Sequence, residues 1–210
     1  PRPAAGAAAQ VRERLSSDML RVLSQLGSLA RANDNSAWGY VPAVEALAVL
    51  NRSIVTLAAL RGIELENMTR GPGWHFLGIG RRIERAIQLI GLFRGIIVPF
   101  GTQTWSTLEM LLEVADSAIT YRSRYFTTLQ PAPVLDLLMN DEANPPSLAF
   151  QLKDLWKHCH RLSSLASGAE WPEAQQNRLE EAAARLLGGD VNELCAPGPD
   201  GSREALDRLL

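Results

Sequence analysis

The sequence predicts an all-α protein: an antiparallel bundle of long helices, a smaller helical appendage at the C-terminal end, and no sheet. Three observations carry that expectation. Apolar residues recur at steps of three and four through most of the 210 residues. No stretch shows the sustained alternation of a half-buried strand. Prolines, paired glycines and serines punctuate the periodic segments at short intervals, which favours antiparallel neighbours.

Segment 9–31 is amphipathic, with a break expected near Ser16 or Ser17. Segment 42–69 opens on Pro42, a good first-turn residue, followed by Glu45 at the positive end of the helix dipole. Its apolar residues, among them Val44, Leu47, Leu50, Ile54, Val55, Leu57 and Leu60, wrap most of the circumference, which predicts a central helix. Segment 74–97 places Phe76, Ile79, Ile83, Ile87, Ile90, Phe93 and Ile97 on one stripe and stops before Pro99. Segment 105–126 repeats the pattern as one helix with Leu108, Leu111, Leu112, Ala115 and Ile119. Segment 147–167 follows Pro145 and Pro146 with Ser147 as N-cap, and its stripe is Leu148, Leu152, Leu155, Trp156, Cys159, Leu162 and Ala166. Shorter helices are expected at 132–139, 172–187, 190–195 and 202–210, with loops at 32–40, 98–104, 140–146 and 196–201. The bundle is expected to span 1–167, with 168–210 as a peripheral appendage of the same domain.

Composition narrows the function. A formal net charge of −2 lacks the basic excess of a nucleic-acid binder. Two cysteines, Cys159 and Cys195, do not make a disulfide framework in a chain this long, so a cytoplasmic setting is expected. The opening PRPAAGAAAQ lacks a basic region followed by an apolar one. Apolar runs are interrupted by Arg, Glu, Asn or Gly, so none is expected to reach the ~18 residues of a membrane span. A chain that opens on Pro1 is expected to be a piece cut from something longer, or a processed product.

The stretch GWHFLGIGRRIERA, residues 73–86, carries the first candidate site. Its Gly78 and Gly80 do not make a dinucleotide loop: the third glycine position is Ile83, and the context is helical. Nor does Gly-Lys-Ser/Thr follow. Gly80, Glu84, Gln88, Gly91 and Gly95 lie along one helix side, as expected where another backbone approaches closely. Arg81, Glu84 and Arg85 share the same face, either as an internal Arg–Glu network or as a solvated face. The second cluster, Asp116, Thr120, Tyr121, Arg122, Arg124 and Tyr125, reads as dipole-complementing arginines or as a carboxylate-binding fork of Arg122 and Arg124 with the tyrosine hydroxyls. The third, NDEANPPSLAFQL at 140–152, offers Asp141 and Asn144 as turn formers or as ligand-binding groups. Lys157-His158-Cys159-His160 is not a metal site, because consecutive helical residues point ~100° apart.

These three motifs, in this order, resemble the bacterial alpha-E domain, an all-helical domain of uncharacterised biochemical role. The resemblance runs from about Val11 to Leu165. It rests on Gly80-Arg81 with Glu84-Arg85-Ala86, on Tyr121-Arg122 with Arg124-Tyr125, and on Asp141 with Asn144-Pro145 and Ser147-Leu148. QVRERLSSDMLRVLSQL and IELENMTRGPGW are similar to the version fused behind a circularly permuted ATP-grasp domain. The resemblance implies an accessory or substrate-handling domain tied to an ATP-grasp amide or peptide ligase, with ATP and Mg on the ligase and no cofactor or metal here. It implies a peptide or amino-acid substrate, and a duplicated helical unit of which this chain holds one copy. Two alternatives stand beside it: a structural or dimerising module packing through the glycine face, and a catalytic domain with Glu84 as acid or base. Three nearby arginines argue against the last, since they favour an ionised carboxylate.

Overall fold

The computed structural model describes residues 2–34, 42–99, 105–125, 128–165 and 172–210. The expected loops 32–40 and 98–104 are therefore described only in part. Ala166 and the expected boundary at 167/168 lie outside the described residues. Among the described residues every regular element is helical, as the periodicity predicts. The chain divides into two compact units, residues 1–74 and 75–210.

The first unit holds α1 (Arg2–Gln10), a short 3-10 turn (Arg12–Arg14), α2 (Ser17–Asp34) and α3 (Ala43–Asn67). The predicted break falls at Ser16, whose Oγ accepts from the Met19 N–H at 3.2 Å and so caps α2. α3 starts where the Pro42 carbonyl accepts from the Glu45 and Ala46 N–H groups. Its C-terminal carbonyls are collected by Arg70, which donates to the Leu65 and Met68 oxygens and lies 4.8 Å over the Trp74 ring.

α3 packs against α2, but it is not the central helix that its composition predicts. Its half-buried positions step along one side as Ala46, Val49, Ser53, Thr56, Leu60 and Ile63. The larger apolar residues point elsewhere: Val44, Leu47, Leu50, Ile54, Val55, Leu57 and Leu65 are all exposed. Small and polar residues let α2 approach closely, which leaves the bulky arc without a neighbour. By length and composition α3 also meets the requirement for a membrane span, with a mean hydropathy of 1.6 over 18 residues. The interruptions counted in the sequence are thus fewer than that expectation assumed.

The second unit is built on α4 (Pro72–Leu92), which runs on through a π turn at Phe93–Ile97. It continues with α5 (Trp105–Val114), α6 (Ala118–Tyr125), α7 (Pro131–Met139), α8 (Leu148–Leu165), α9 (Glu173–Leu187), α10 (Val191–Cys195) and α11 (Glu204–Leu209). Its core gathers Leu89, Phe93 and Ile97 from the end of α4, Leu108, Leu111 and Leu112 from α5, and an almost wholly buried α7. α9 buries no residue, whereas α10 and α11 contribute Leu194 and Leu206 to the core. Arg203, itself buried, donates to the Ile97 and Cys195 carbonyls at 3.0 and 2.8 Å, and so ties the π turn to the end of α10.

Two expectations are corrected here. The single helix 105–126 is two helices, because Asp116 adopts a left-handed backbone with φ of 50°. The buried Ser117 then donates from Oγ to the Ala115 carbonyl. In α4 the expected stripe holds only toward the end. Phe76, Ile83 and Ile87 are exposed, while His75, Gly78 and Leu89 are buried. The inward side of the first half of α4 is polar, for a reason that lies in α8.

Candidate functional site

Three places in the second unit hold the chemistry-bearing residues. On the outer side of α4, Arg81 is half-buried, and Glu84 and Arg85 are exposed. Glu84 accepts from Gln88 Nε2 at 3.2 Å, one helical turn on. Of the two arrangements open from sequence, Glu84 and Arg85 take the solvated face. The glycines beside them do not mark a close approach. A Cβ built on Gly80, Gly91 or Gly95 meets no atom within 4 Å.

The close approach is at Gly78, on the opposite side of the helix, where a Cβ would lie 2.4 Å from the His158 ring. His158 and His75 meet Nδ1 to Nδ1 at 3.1 Å, so one ring donates and the other accepts. Asp154 Oδ2 lies 3.6 Å from His158 Nε2 and accepts from Arg82 Nε at 2.7 Å. Arg82 also donates to Gln151 Oε1 at 3.1 Å, sits 5.2 Å over the Phe150 ring, and Gln151 donates to the Pro145 carbonyl. Burial pushes both imidazoles below the ordinary 6.5. Arg161 adds to this at His75, and Asp154 partly offsets it at His158.

This network escaped the sequence reading. Its signal is a matched spacing. His75, Gly78 and Arg82 fall at i, i+3 and i+7 on α4, and Gln151, Asp154 and His158 at i, i+3 and i+7 on α8. Sorting each helix by apolarity hides a polar stripe that meets another polar stripe. Cys159 stands beside it with its thiol pushed up by burial, which does not favour a thiolate nucleophile.

The second and third motifs converge. Arg124 pairs with Asp141. Tyr125 donates to Asp136 at 3.0 Å, and its phenol is pushed up to about 12 by burial and by that carboxylate. Tyr121 stacks on Tyr125 with ring centroids 5.0 Å apart. Asn144, buried, donates to Ser117 Oγ at 3.1 Å and to the Leu137 carbonyl at 3.3 Å. Ser147 donates to the Asp141 carbonyl and caps α8 by accepting from the Phe150 N–H at 3.0 Å. Asn144, Ser117, Ser147 and Asp141 thus tie the turn before α8 to the α5–α6 break. Asp116 supplies the backbone bend there.

Arg122 does not join Arg124 in a fork. Residues two apart on a helix point to nearly opposite sides, and Arg122 pairs instead with Glu109 at 3.0 Å. That pair stands on the rim of a cavity of about 130 Å³ between α5 and α6. Leu112, Ala118, Tyr121, Thr128 and Leu129 also line it, with the exposed Trp105 at its mouth. Among the described residues no group of three or more His, Cys, Asp or Glu side chains is placed to hold a metal ion.

A family model described as "a predicted alpha-helical domain with a conserved ER motif" matches residues 2–210. The chain belongs to the Alpha-E family. The ER dipeptide of this Alpha-E chain occurs at Glu84-Arg85 on α4, and again at Glu13-Arg14 in the 3-10 turn of the first unit. Both pairs are exposed. Uncharacterised proteins of Mycobacterium bovis and of two strains of Mycobacterium tuberculosis are each 30% identical to it over 210 residues. Each alignment covers 97% of this chain and 23% of the relative, so the chain spans about a quarter of the length of the curated relatives it matches. No solved structure matches.

Proposed function

We propose that this Alpha-E chain is an accessory, substrate-handling domain of a longer amide or peptide ligase of the ATP-grasp type, working in the cytoplasm. ATP and Mg²⁺ would be held on the ligase portion. The observation that carries the reading is the outward face of α3. Seven large apolar side chains stand exposed there, from Val44, 79% exposed, to Leu65, 38% exposed. Contiguous apolar surface of that kind marks a docking face. The curated relatives hold most of their length outside the match, which supports a tethered partner as its occupant. Tethering makes such docking effectively intramolecular, so a narrow face suffices. In the second unit Asn144, Ser147, Tyr125 and Arg82 are engaged in holding the fold. Arg122 and Glu109 stand at the surface beside a cavity, which supports a role for them in meeting substrate.

Hydrogen–deuterium exchange tests the docking. Exchange over residues 43–60 is compared in the isolated chain and in the longer polypeptide. Slower exchange in the longer polypeptide is the expected result. Equal exchange, with protection appearing only on raising the chain concentration or on adding lipid vesicles, would favour self-association or a membrane surface instead. Glu84→Gln leaves turnover of the longer enzyme unchanged under this reading, and a loss of turnover would restore Glu84 as acid or base.

A further inference from the structure

We propose that the cavity between α5 and α6 binds a free α-amino acid with an apolar side chain. The site is built from matched helix faces. Trp105, Glu109 and Leu112 fall at i, i+4 and i+7 on α5, and Ala118, Tyr121 and Arg122 at i, i+3 and i+4 on α6, so all six converge on one space. Its inner wall is apolar: Leu112 and Ala118 are buried, and Tyr121 presents its ring while its hydroxyl turns to the Thr128 carbonyl at 3.5 Å. A cavity of about 130 Å³ is close to the ~150 Å³ of an engineered apolar cavity that accepts benzene, which suits a branched aliphatic or small aromatic side chain.

The rim supplies both charges of an amino-acid head group. Arg122 uses one Nη2 hydrogen on Glu109 Oε1, at 3.0 Å, and keeps further guanidinium donors for a carboxylate. Glu109 keeps its second oxygen for an ammonium. The Arg122 side chain is 65% exposed, and an ion pair of that exposure is worth about 0–1 kcal/mol, so opening it to admit two new partners costs little. A zwitterion closes the four charges into an alternating ring, each flanked by its complements. A peptide N-terminus offers the ammonium without the carboxylate beside it, and a C-terminus offers the reverse. The geometry therefore favours the free amino acid over either end of a peptide. Trp105, 56% exposed at the mouth, is placed to cover the bound side chain.

The inference deepens the substrate-handling reading and rests on it, and the 210-residue chain itself serves for the test. Isothermal titration with L-leucine is compared with leucinamide, N-acetylleucine, glycine and the dipeptide Leu-Gly. Leucine is expected to saturate one site, and each analogue to bind at least about tenfold more weakly, the factor that ~1.4 kcal/mol of lost interaction produces. Arg122→Gln is expected to bring leucine down to the affinity of leucinamide, and Glu109→Gln to that of N-acetylleucine, with thermal melts showing both variants folded. Absence of saturable leucine binding overturns the proposal. So does equal binding of leucine and Leu-Gly, or unchanged leucine affinity in both variants. If leucine fails to bind while α3 is protected in the longer polypeptide, the amino-acid site falls and the docked accessory domain stands. If leucine binds and α3 exchanges equally in both, the docking falls instead.

Discussion

Gly78 and Gly80 lie two residues apart on one helix, and the structure predicts opposite outcomes when each becomes alanine. In a helix interior Ala is favoured over Gly by about 1 kcal/mol. At Gly80 nothing opposes that gain, because a Cβ there meets no atom within 4 Å. At Gly78 the new methyl lands 2.4 Å from Cε1 and Nε2 of His158. That ring cannot simply swing aside: it is buried, it meets His75 at 3.1 Å, and its other edge faces Asp154. Overpacking a filled site costs about 1–3 kcal/mol, and a broken hydrogen bond about 0.5–1.5 kcal/mol more. Set against the helix gain of about 1 kcal/mol, Gly78→Ala should destabilise by about 0.5–3.5 kcal/mol net. For a chain of this length, 1 kcal/mol moves the melting temperature by roughly 2–4 °C. Thermal unfolding followed by far-UV circular dichroism should show Gly78→Ala melting roughly 1–14 °C below the parent and Gly80→Ala roughly 2–4 °C above it. A Gly78→Ala variant as stable as the parent, or two variants that shift in the same direction, would refute the α4–α8 contact as described.

Arg82→Ala and Asp154→Ala should each destabilise by about 1–3 kcal/mol, with a double variant much less than additive, as a double-mutant cycle in urea would show. Both histidines titrate below 6.5 when folded, so below that pH the unfolded chain binds more protons than the folded one. Their contribution should therefore be complete above about pH 7 and fall as pH drops through 6.5, and denaturation midpoints for the parent and for His75→Gln should converge toward acid. Tyr125, with its phenol pushed up to about 12, should ionise well above the ordinary phenol value of about 10. Stability linked to it should persist below pH 10 and be lost above it, and Tyr125→Phe should remove the late step from an absorbance titration.

The all-helical fold was legible in the sequence because helix periodicity is a local property, and Ser16 and Ser147 mark their helix starts with capping bonds that the residue type announces. What a helix faces was less legible. Periodicity shows that α3 and α4 have sides, but composition favours the greasier side as the inner one. In α3 the small side packs on α2. In α4 the first buried residues are His75 and Gly78, because α8 brings Gln151, Asp154 and His158 to meet them. The bend at Asp116 was hidden for a related reason. Its left-handed backbone is stabilised by Asn144, 28 positions later, through Ser117 Oγ. Of the candidate site residues, Tyr121, Arg124, Asp141 and Asn144 do gather at one place, while Arg81, Glu84 and Arg85 lie on another helix and Arg122 turns to Glu109.

Arg203 and Leu206 bear on the order in which the protein can be made. The first unit, through Trp74, has its partners in hand early, and domains emerging from the ribosome fold from the N-terminus. The second unit has a different timetable. Its core runs from Leu89 on α4 to Leu206 on α11, and the carbonyl of Ile97 accepts from the guanidinium of a residue 106 positions later. Until α10 and α11 are made, α4 to α7 carry apolar surface that Leu194 and Leu206 help to cover. A ribosome stalled in α9 would release a nascent chain with a finished first unit and an open second one. Such a half-closed product would be a substrate for chaperones and proteases, whereas a chain synthesised past Leu206 can bury that core.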